Sequence, residues 1–403
     1  MSETDERGEA GGEKPWIPYE IADREGQLNP YPFFREVREE APLRYDPDRD
    51  TYDVVGYDAV VESITQHERF TRRNTSYING SLLSTGEPIH SELRGMAADY
   101  FQPGFLKEQY EPKIESRVDE LLDEALAGDD HIDFVEEFAK PLPILIIAEL
   151  LNVPSEKIET FRKWSATLAT APEGNSKEAF EELEQKQGKA MQELQKMFEA
   201  EIERREETPM EDIIMNHIRA ERESDLVDRS NVLANLSMLL IAGNVTTTQY
   251  LTNAVWTFDE EAVIDDLQDG TIPLEDALEE VLRYRSPVMP GKRIATGDTE
   301  IQGVKIEEGD RVVGWLSAAN RDPDVYENPD EFRPGRDYDR EPIPFGKGIH
   351  YCLGAPLANM EARIFFEKFL DRVDDWEVTV DEIDPFVSSE IYGPRSLPIR
   401  VTS

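Results

Sequence analysis

Apolar residues recur at helical spacing along most of the chain. The pattern predicts helices near residues 30–40, 57–66, 91–100, 107–127, 133–152, 155–170, 177–206, 211–220, 228–258, 260–267, 274–285 and 355–372. Strand-like runs are fewer and shorter. They fall at Leu43–Tyr45, Thr51–Val55, Arg293–Ala295, Glu300–Ile301, Arg311–Trp315, Trp376–Thr379 and Ile399–Val401, with Gly303, Gly309 and Gly393 as turns. The fold class expected is mainly α with a minor β region. Two of the helices differ in kind. Near 177–206, Glu, Gln and Lys leave only a thin apolar stripe, which belongs at the surface. From Leu233 to Ala242 the chain is apolar nearly all round, so the helix at 228–258 should run through the centre. Asp228 and Ser230 are candidate caps for it.

Length and composition narrow the picture. The chain has 403 residues, and a single simple core stops growing near ~250–300. Either two domains or one large domain around a buried cofactor is expected, and no linker is visible after the N-terminus. Residues 1–14, rich in Gly and Glu, read as a disordered acidic segment. Residues 15–403 read as one domain. The most apolar runs, Pro141–Leu151 and Val232–Gly243, are short and contain Glu149, Asn235 and Ser237. They suit buried helices, not membrane spans. With no secretory leader visible, a soluble cytoplasmic protein is expected.

There are 86 acidic and 43 basic residues, for a net charge of −43 spread along the whole chain. Such a surface repels phosphate and argues against nucleic acid as a partner. Its self-repulsion would be relieved at molar salt, where the Debye length falls to about 3 Å. A halophilic origin is the expectation that follows.

The only cysteine, Cys352, excludes an intrachain disulfide but leaves one soft metal ligand. It lies in Pro344-Phe345-Gly346-Lys347-Gly348-Ile349-His350-Tyr351-Cys352-Leu353-Gly354. Gly346 and Gly348 allow a tight loop and close approach by a bulky group. From Leu353 onward the pattern is helical, so Cys352 is expected at a helix N-terminus, where the peptide dipoles would lower its pKa.

This run resembles the haem-binding signature of the cytochrome P450 superfamily, matching it at Phe345, Gly346, Gly348, His350, Cys352 and Gly354. The resemblance implies the cytochrome P450 fold, with haem b (iron protoporphyrin IX) held between a long central helix and the cysteine loop and its helix. Cys352 would be the iron ligand, Phe345 would pack beside the loop, and His350 would reach a propionate. Further segments match in the same order. His90 and Arg94, at i and i+4, are implied propionate partners, as is Arg293. Glu280 and Arg283, at i and i+3, would form a buried network with Arg336 that supports the loop. In Ala242-Gly243-Asn244-Val245-Thr246, the small Ala242-Gly243 pair would leave room for oxygen, and Thr246 would help deliver protons with aid from Asn244. The family usually has an acid where this chain has Val245. Ile391-Tyr392-Gly393-Pro394 resembles the C-terminal hairpin of bacterial-type members.

By the same resemblance, the chain would be a monooxygenase that hydroxylates a hydrophobic small molecule. The thiolate would donate charge that favours O–O cleavage. Pocket residues would be Tyr77, Ile78, Leu82, Leu83, Val245, Val288, Met289 and Ile391. With no flavin or nicotinamide fingerprint present, electrons would come from a ferredoxin-type donor and its reductase, docking near Lys347 and Arg363. Asn359 stands where many relatives carry an arginine. Val245 leaves two rivals open: a peroxide-driven enzyme on the same fold, and a haem-binding sensor without turnover.

Overall fold

In a computed structural model, which describes residues 15–73, 75, 78–128, 130–169, 177–388 and 390–402, the longest apolar run forms the longest helix, Arg229–Glu260. The expected disorder of residues 1–14 and the pocket role of Tyr77 fall outside the described residues. Asp228 caps this central helix. Its carboxylate accepts the Asn231 N–H at 3.0 Å, and the Asn231 side chain accepts the Asp228 N–H at 3.2 Å. This reciprocal pair satisfies two otherwise free donors. Ser230 lies inside the helix and donates to Asp228 instead. Every residue from Val232 to Ile241 is buried, as all-round apolarity requires. The helix packs against Pro141–Leu150, Ile158–Ala169, Lys177–Glu207, Leu274–Tyr284 and Ala355–Arg372.

Three expected helices are interrupted, each for a local reason. The stretch 107–127 divides at Tyr110 into Pro103–Gln109 and Glu111–Leu126. Pro112 has no N–H to continue the ladder. The stretch 133–152 begins instead with a strand, His131–Asp133. A wide-turned segment, Val135–Ala139, follows, and regular helix starts at Pro141. The stretch 260–267 resolves into the end of the central helix and a short helix, Ile264–Gln268; Ala262 between them takes φ +52°.

The strands are β1 (Leu43–Asp46), β2 (Thr51–Val54), β3 (Phe70–Thr71), β4 (His131–Asp133), β5 (Pro290–Ala295), β6 (Thr299–Ile301), β7 (Val304–Ile306), β8 (Arg311–Trp315), β9 (Asp375–Val378) and β10 (Pro398–Thr402). They form a five-stranded sheet, β1-β2-β8-β5-β3, a three-stranded sheet, β4-β10-β9, and the β6-β7 hairpin. In the large sheet β5 runs antiparallel to β8 and sets Arg293 opposite Val312. On the other edge of β5, Phe70 of β3 pairs with Ala295. A bridge between Val288 and Ile391 brings the C-terminal hairpin to the start of β5. The sheet thus delivers Arg293, Met289 and Ile391 to one side of the central helix.

Candidate active site: a cavity between the central helix and the cysteine loop

The cysteine loop is shaped by two glycines. Gly346 and Gly348 take φ of +70° and +77°, which a side chain would strain. A Cβ at position 348 would also sit 3.3 Å from Thr65 of the helix Tyr57–Thr65. The Cys352 N–H donates to the Phe345 carbonyl at 3.0 Å and closes the loop. The following helix runs Ala355–Arg372, the range expected from the sequence, with Gly354 at its cap, two residues beyond the Leu353 start of the apolar pattern.

Cys352 is half-buried and faces the cavity. Burial pushes its thiol up; the N–H groups of Gly354 and Ala355 and the charge of Arg94 pull it down, but less strongly. The depressed pKa expected from the helix start is therefore not produced by the protein alone. Desolvation outweighs the backbone donors. A metal cation at the sulfur would reverse that balance, because a coordinating thiol is deprotonated outright.

The cavity has a volume of about 2200 Å³. That exceeds the ~300–1,000 Å³ of an ordinary ligand site and leaves room for a large cofactor together with a substrate. Ala242, Gly243, Val245 and Thr246 line it from the central helix, opposite Phe345, Gly346, His350, Cys352 and Gly354. Ile78, Leu82, Leu83, Val288, Met289 and Ile391 complete an apolar wall.

Cations and imidazoles collect along one edge. Arg94 donates to the carbonyls of Tyr351 at 2.9 Å and Ile349 at 3.4 Å, tying its helix to the cysteine loop. Arg293 is 3% exposed and donates to the carbonyls of Lys292 at 2.8 Å and Ile64 at 3.1 Å. Burial and the nearby charge of Arg72 push its guanidinium well below its ordinary range. Burial, with the charges of Arg72 and Arg293, drives His350 down to about 2. His90 is buried, and neither ring nitrogen has a hydrogen-bond partner among the described residues, although Nδ1 lies 3.4 Å from the Glu87 carboxylate. The rings of His90 and His350 meet edge to face, with centroids 4.7 Å apart. Donors and buried cations gathered this way match the chemistry of two carboxylates. With one thiol beneath the same cavity, the donor set fits haem.

The central helix departs from expectation at two places. Asn244 is absent from the cavity wall. Its amide donates to Ser165 at 2.6 Å, because one residue of helix turns it about 100° from Gly243 and toward the helix Ile158–Ala169. Its expected part in proton delivery is corrected accordingly. Gly243 lines the cavity, and a Cβ there would also come within 3.4 Å of Ile147. Close helix packing is thus a second reason for glycine. Thr246 faces the cavity while its hydroxyl donates to the Ala242 carbonyl at 2.8 Å, a helix-local bond.

The Glu280 network is present in full. Arg283 makes two contacts of 2.7 Å to the Glu280 carboxylate, and Arg336 adds one of 2.8 Å. The Tyr338 hydroxyl and the Arg333 N–H each donate at 2.9 Å. Remaining guanidinium N–H groups reach the carbonyls of Asn320, Glu327, Asn328, Pro329 and Glu331.

Among the residues of the cavity wall that the sequence reading missed are four charged ones, Arg72, Lys292, Glu361 and Glu390. Lys292 pairs with Glu390 at 2.6 Å. Glu361 is 2% exposed with Oε2 unpartnered, and burial pushes its carboxyl well above the usual range. An acid on an apolar helix face, and an arginine and a lysine in a cation-poor chain, were the available signals. The suggested donor-docking patch is thin. Arg363 is held by Glu111 at 2.5 Å and Glu367 at 3.0 Å, while Lys347 and Asn359 are exposed.

A helical scaffold that encloses one thiol, a cation-rimmed edge and an apolar chamber defines a haem-thiolate class of protein. Comparison with known proteins agrees. The Cytochrome P450 family profile matches residues 253–388. Cytochrome P450 109 of Bacillus spizizenii is 33% identical over 389 residues, spanning 95% of this chain and 94% of its own. Cytochrome P450 119 of Sulfolobus acidocaldarius is 32% identical over 393 residues, spanning 93% and 99%. The crystal structure of CYP109E1 from Bacillus megaterium in complex with testosterone is 35% identical, with a TM-score of 0.88 over 94% of this chain and 100% of that one. The chain belongs to the cytochrome P450 family, whose cofactor is haem b and whose activity is that of a monooxygenase. Among the described residues, no helix is long and apolar enough to cross a membrane.

Proposed function

We propose that the protein hydroxylates a hydrophobic molecule of about steroid size, with Cys352 as the iron ligand. The observation that carries this is the single thiol at the floor of a cavity that is apolar on one side and cationic on the other. CYP109E1, the structural relative named above, binds testosterone, and the apolar wall here suits a ligand of that kind. Bound haem supplies oxygen activation and insertion of one oxygen atom into a C–H bond. The protein's own groups do the rest. Arg94, Arg293, His90 and His350 hold the two propionates. Ile78, Leu82, Val288, Met289 and Ile391 exclude water and orient the substrate. Thr246, whose proton is committed to Ala242, offers its oxygen as an acceptor to cavity water. Electrons come from a separate ferredoxin-type protein and its reductase, docking on the cysteine-loop face.

A second reading has its own observation. Val245 cannot carry a proton, and Asn244 is turned away, so the usual acid–alcohol pair is broken. A peroxide-driven reaction would not need that relay. Turnover with hydrogen peroxide, and none with oxygen plus a ferredoxin system, would select it. If neither system yields product, the protein is a haem-binding sensor.

The ligand assignment is tested with Cys352→Ala. The expected result is loss of the strongly red-shifted Soret band of the ferrous–CO complex; its persistence would sink the assignment. Titration of the wild-type ferric protein with testosterone should displace the resting spectrum toward high spin. We also propose, from the net charge of −43, that the protein works in a salt-rich cytoplasm. Its melting temperature should rise steadily from low to molar KCl; a flat response removes this proposal.

A further inference from the structure

One cation in the cavity has no assigned task. Arg72 directly follows β3, at the edge of the large sheet, and lines the cavity. Arg72 is half-buried, and its Nε lies buried without a hydrogen-bond partner among the described residues. Its charge acts on His350 and Arg293, the two groups assigned to haem carboxylates, and the nearest opposing charge is Glu390. Glu390 is already committed to Lys292 at 2.6 Å. One carboxylate therefore serves two cations.

A buried cation is costly without an anion and hydrogen-bond acceptors. Arg72, Arg94, Lys292 and Arg293 line the cavity; of its carboxylates, Asp384 pairs with Arg24 at 3.1 Å and Glu390 with Lys292 at 2.6 Å, and burial pushes the Glu361 carboxyl well above the usual range. The two propionates of haem would bring anions to this group of cations. A guanidinium is a rigid fork that matches a carboxylate through two parallel N–H bonds. We propose that Arg72 is a carboxylate-binding residue of the cavity, poised between the haem edge and the Lys292–Glu390 pair. The proposal rests on the haem reading of the site. The carboxylate can come from a haem propionate or from an acidic substrate, and the two sources separate by experiment.

The experiment uses the haem-loaded full chain as wild type, Arg72→Gln and Arg72→Lys. One arm follows haem transfer to excess apomyoglobin. The other compares binding of hexadecanoic acid with that of the corresponding primary alcohol, read by the spectral shift of the ferric protein. If the partner is a propionate, Arg72→Gln speeds haem transfer about tenfold, the scale of one lost charge-assisted hydrogen bond, and acid and alcohol are affected alike. If the partner is a substrate carboxylate, haem transfer is unchanged, and Arg72→Gln weakens the acid about tenfold but not the alcohol. In either case Arg72→Lys, which keeps the charge but not the fork, recovers part of the effect. Glu390→Gln moves the same readout in the opposite direction, which a merely structural role would not produce. Unchanged values in both arms overturn the proposal. A retained red-shifted ferrous–CO band in Arg72→Gln keeps this outcome separate from failure of the Cys352 assignment.

Discussion

Two buried ionic clusters in this molecule look alike in composition and differ in saturation. Around Glu280, the carboxylate accepts from Arg283, Arg336, Tyr338 and the Arg333 backbone, and the arginines spend their remaining N–H groups on carbonyls. Around Arg293, the charge that acts on the guanidinium is another cation, Arg72, and among the described residues neither ring nitrogen of His90 has a hydrogen-bond partner, Glu87 lying 3.4 Å from Nδ1. Both clusters pay desolvation. The first recovers it from within the chain and is a scaffold. The second recovers it from a ligand and is a binding site. Saturation, not charge or burial, separates the two roles.

The saturated cluster should be the more damaging to break. Glu280→Ala leaves Arg283 and Arg336 buried without their counter-charge, a loss of about 3–5 kcal/mol. That is a large share of the ~5–15 kcal/mol that holds a domain folded. Denaturant unfolding of the haem-free and haem-loaded proteins should show the loss in both. A change below about 1 kcal/mol would mean the network is decoration. The carboxylate is also held below the usual range: burial pushes it up, but the hydrogen bonds and charges of Arg283 and Arg336 more than offset this. Its stabilisation is therefore present above the ordinary carboxylate pKa and fades as pH falls through the lowered value.

The unsaturated cluster should respond with opposite signs in the two forms. Arg293→Gln removes a buried guanidinium that, among the described residues, donates to the two carbonyls of Lys292 and Ile64. Without haem, the variant should be as stable as wild type or more so. With haem, it should lose about 1.5–3 kcal/mol of the stabilisation that the cofactor brings. Melting curves of the two forms measure the split. Equal destabilisation of both would erase the distinction between scaffold and binding site.

The sequence exposed the saturated side better than the unsaturated one. Glu280, Arg283 and Cys352 lie in short segments whose spacing fixes their geometry: i and i+3 on a helix, or a loop pinned by Gly346 and Gly348. The ends of the central helix were legible because Asp228 caps it and apolar residues run all round. The cavity edge was not. Arg72 lies beyond a two-residue strand too short to register as a pattern, and its meaning depends on Arg293, His350 and Glu390, far away in sequence. The same limit explains Asn244. A motif position says which residue is near, but helix phase and Ser165 decide which way it points. The break at Tyr110 was readable from Pro112, whereas the wide turns of Val135–Ala139 have no local sequence mark.

Glu361 offers the finest test, because it meets burial in a third way. Among the described residues it has neither the partners of Glu280 nor the ligand-facing charge of Arg293, and burial pushes its pKa well above the usual range. In the unfolded chain it ionises near the ordinary value of about 4.3. Between that value and the raised native one, the unfolded state holds fewer protons than the folded state, so stability falls as pH rises. Glu361→Gln removes this slope. The variant should match wild type, apart from a constant offset, near pH 4 and should gain on it steadily toward neutral pH. The offset reports how well an amide packs in the site, while the slope reports the proton. Denaturation midpoints at several pH values separate the two. Parallel curves would show that Glu361 is ionised in the folded protein, and hence that a cation of the cavity edge reaches it.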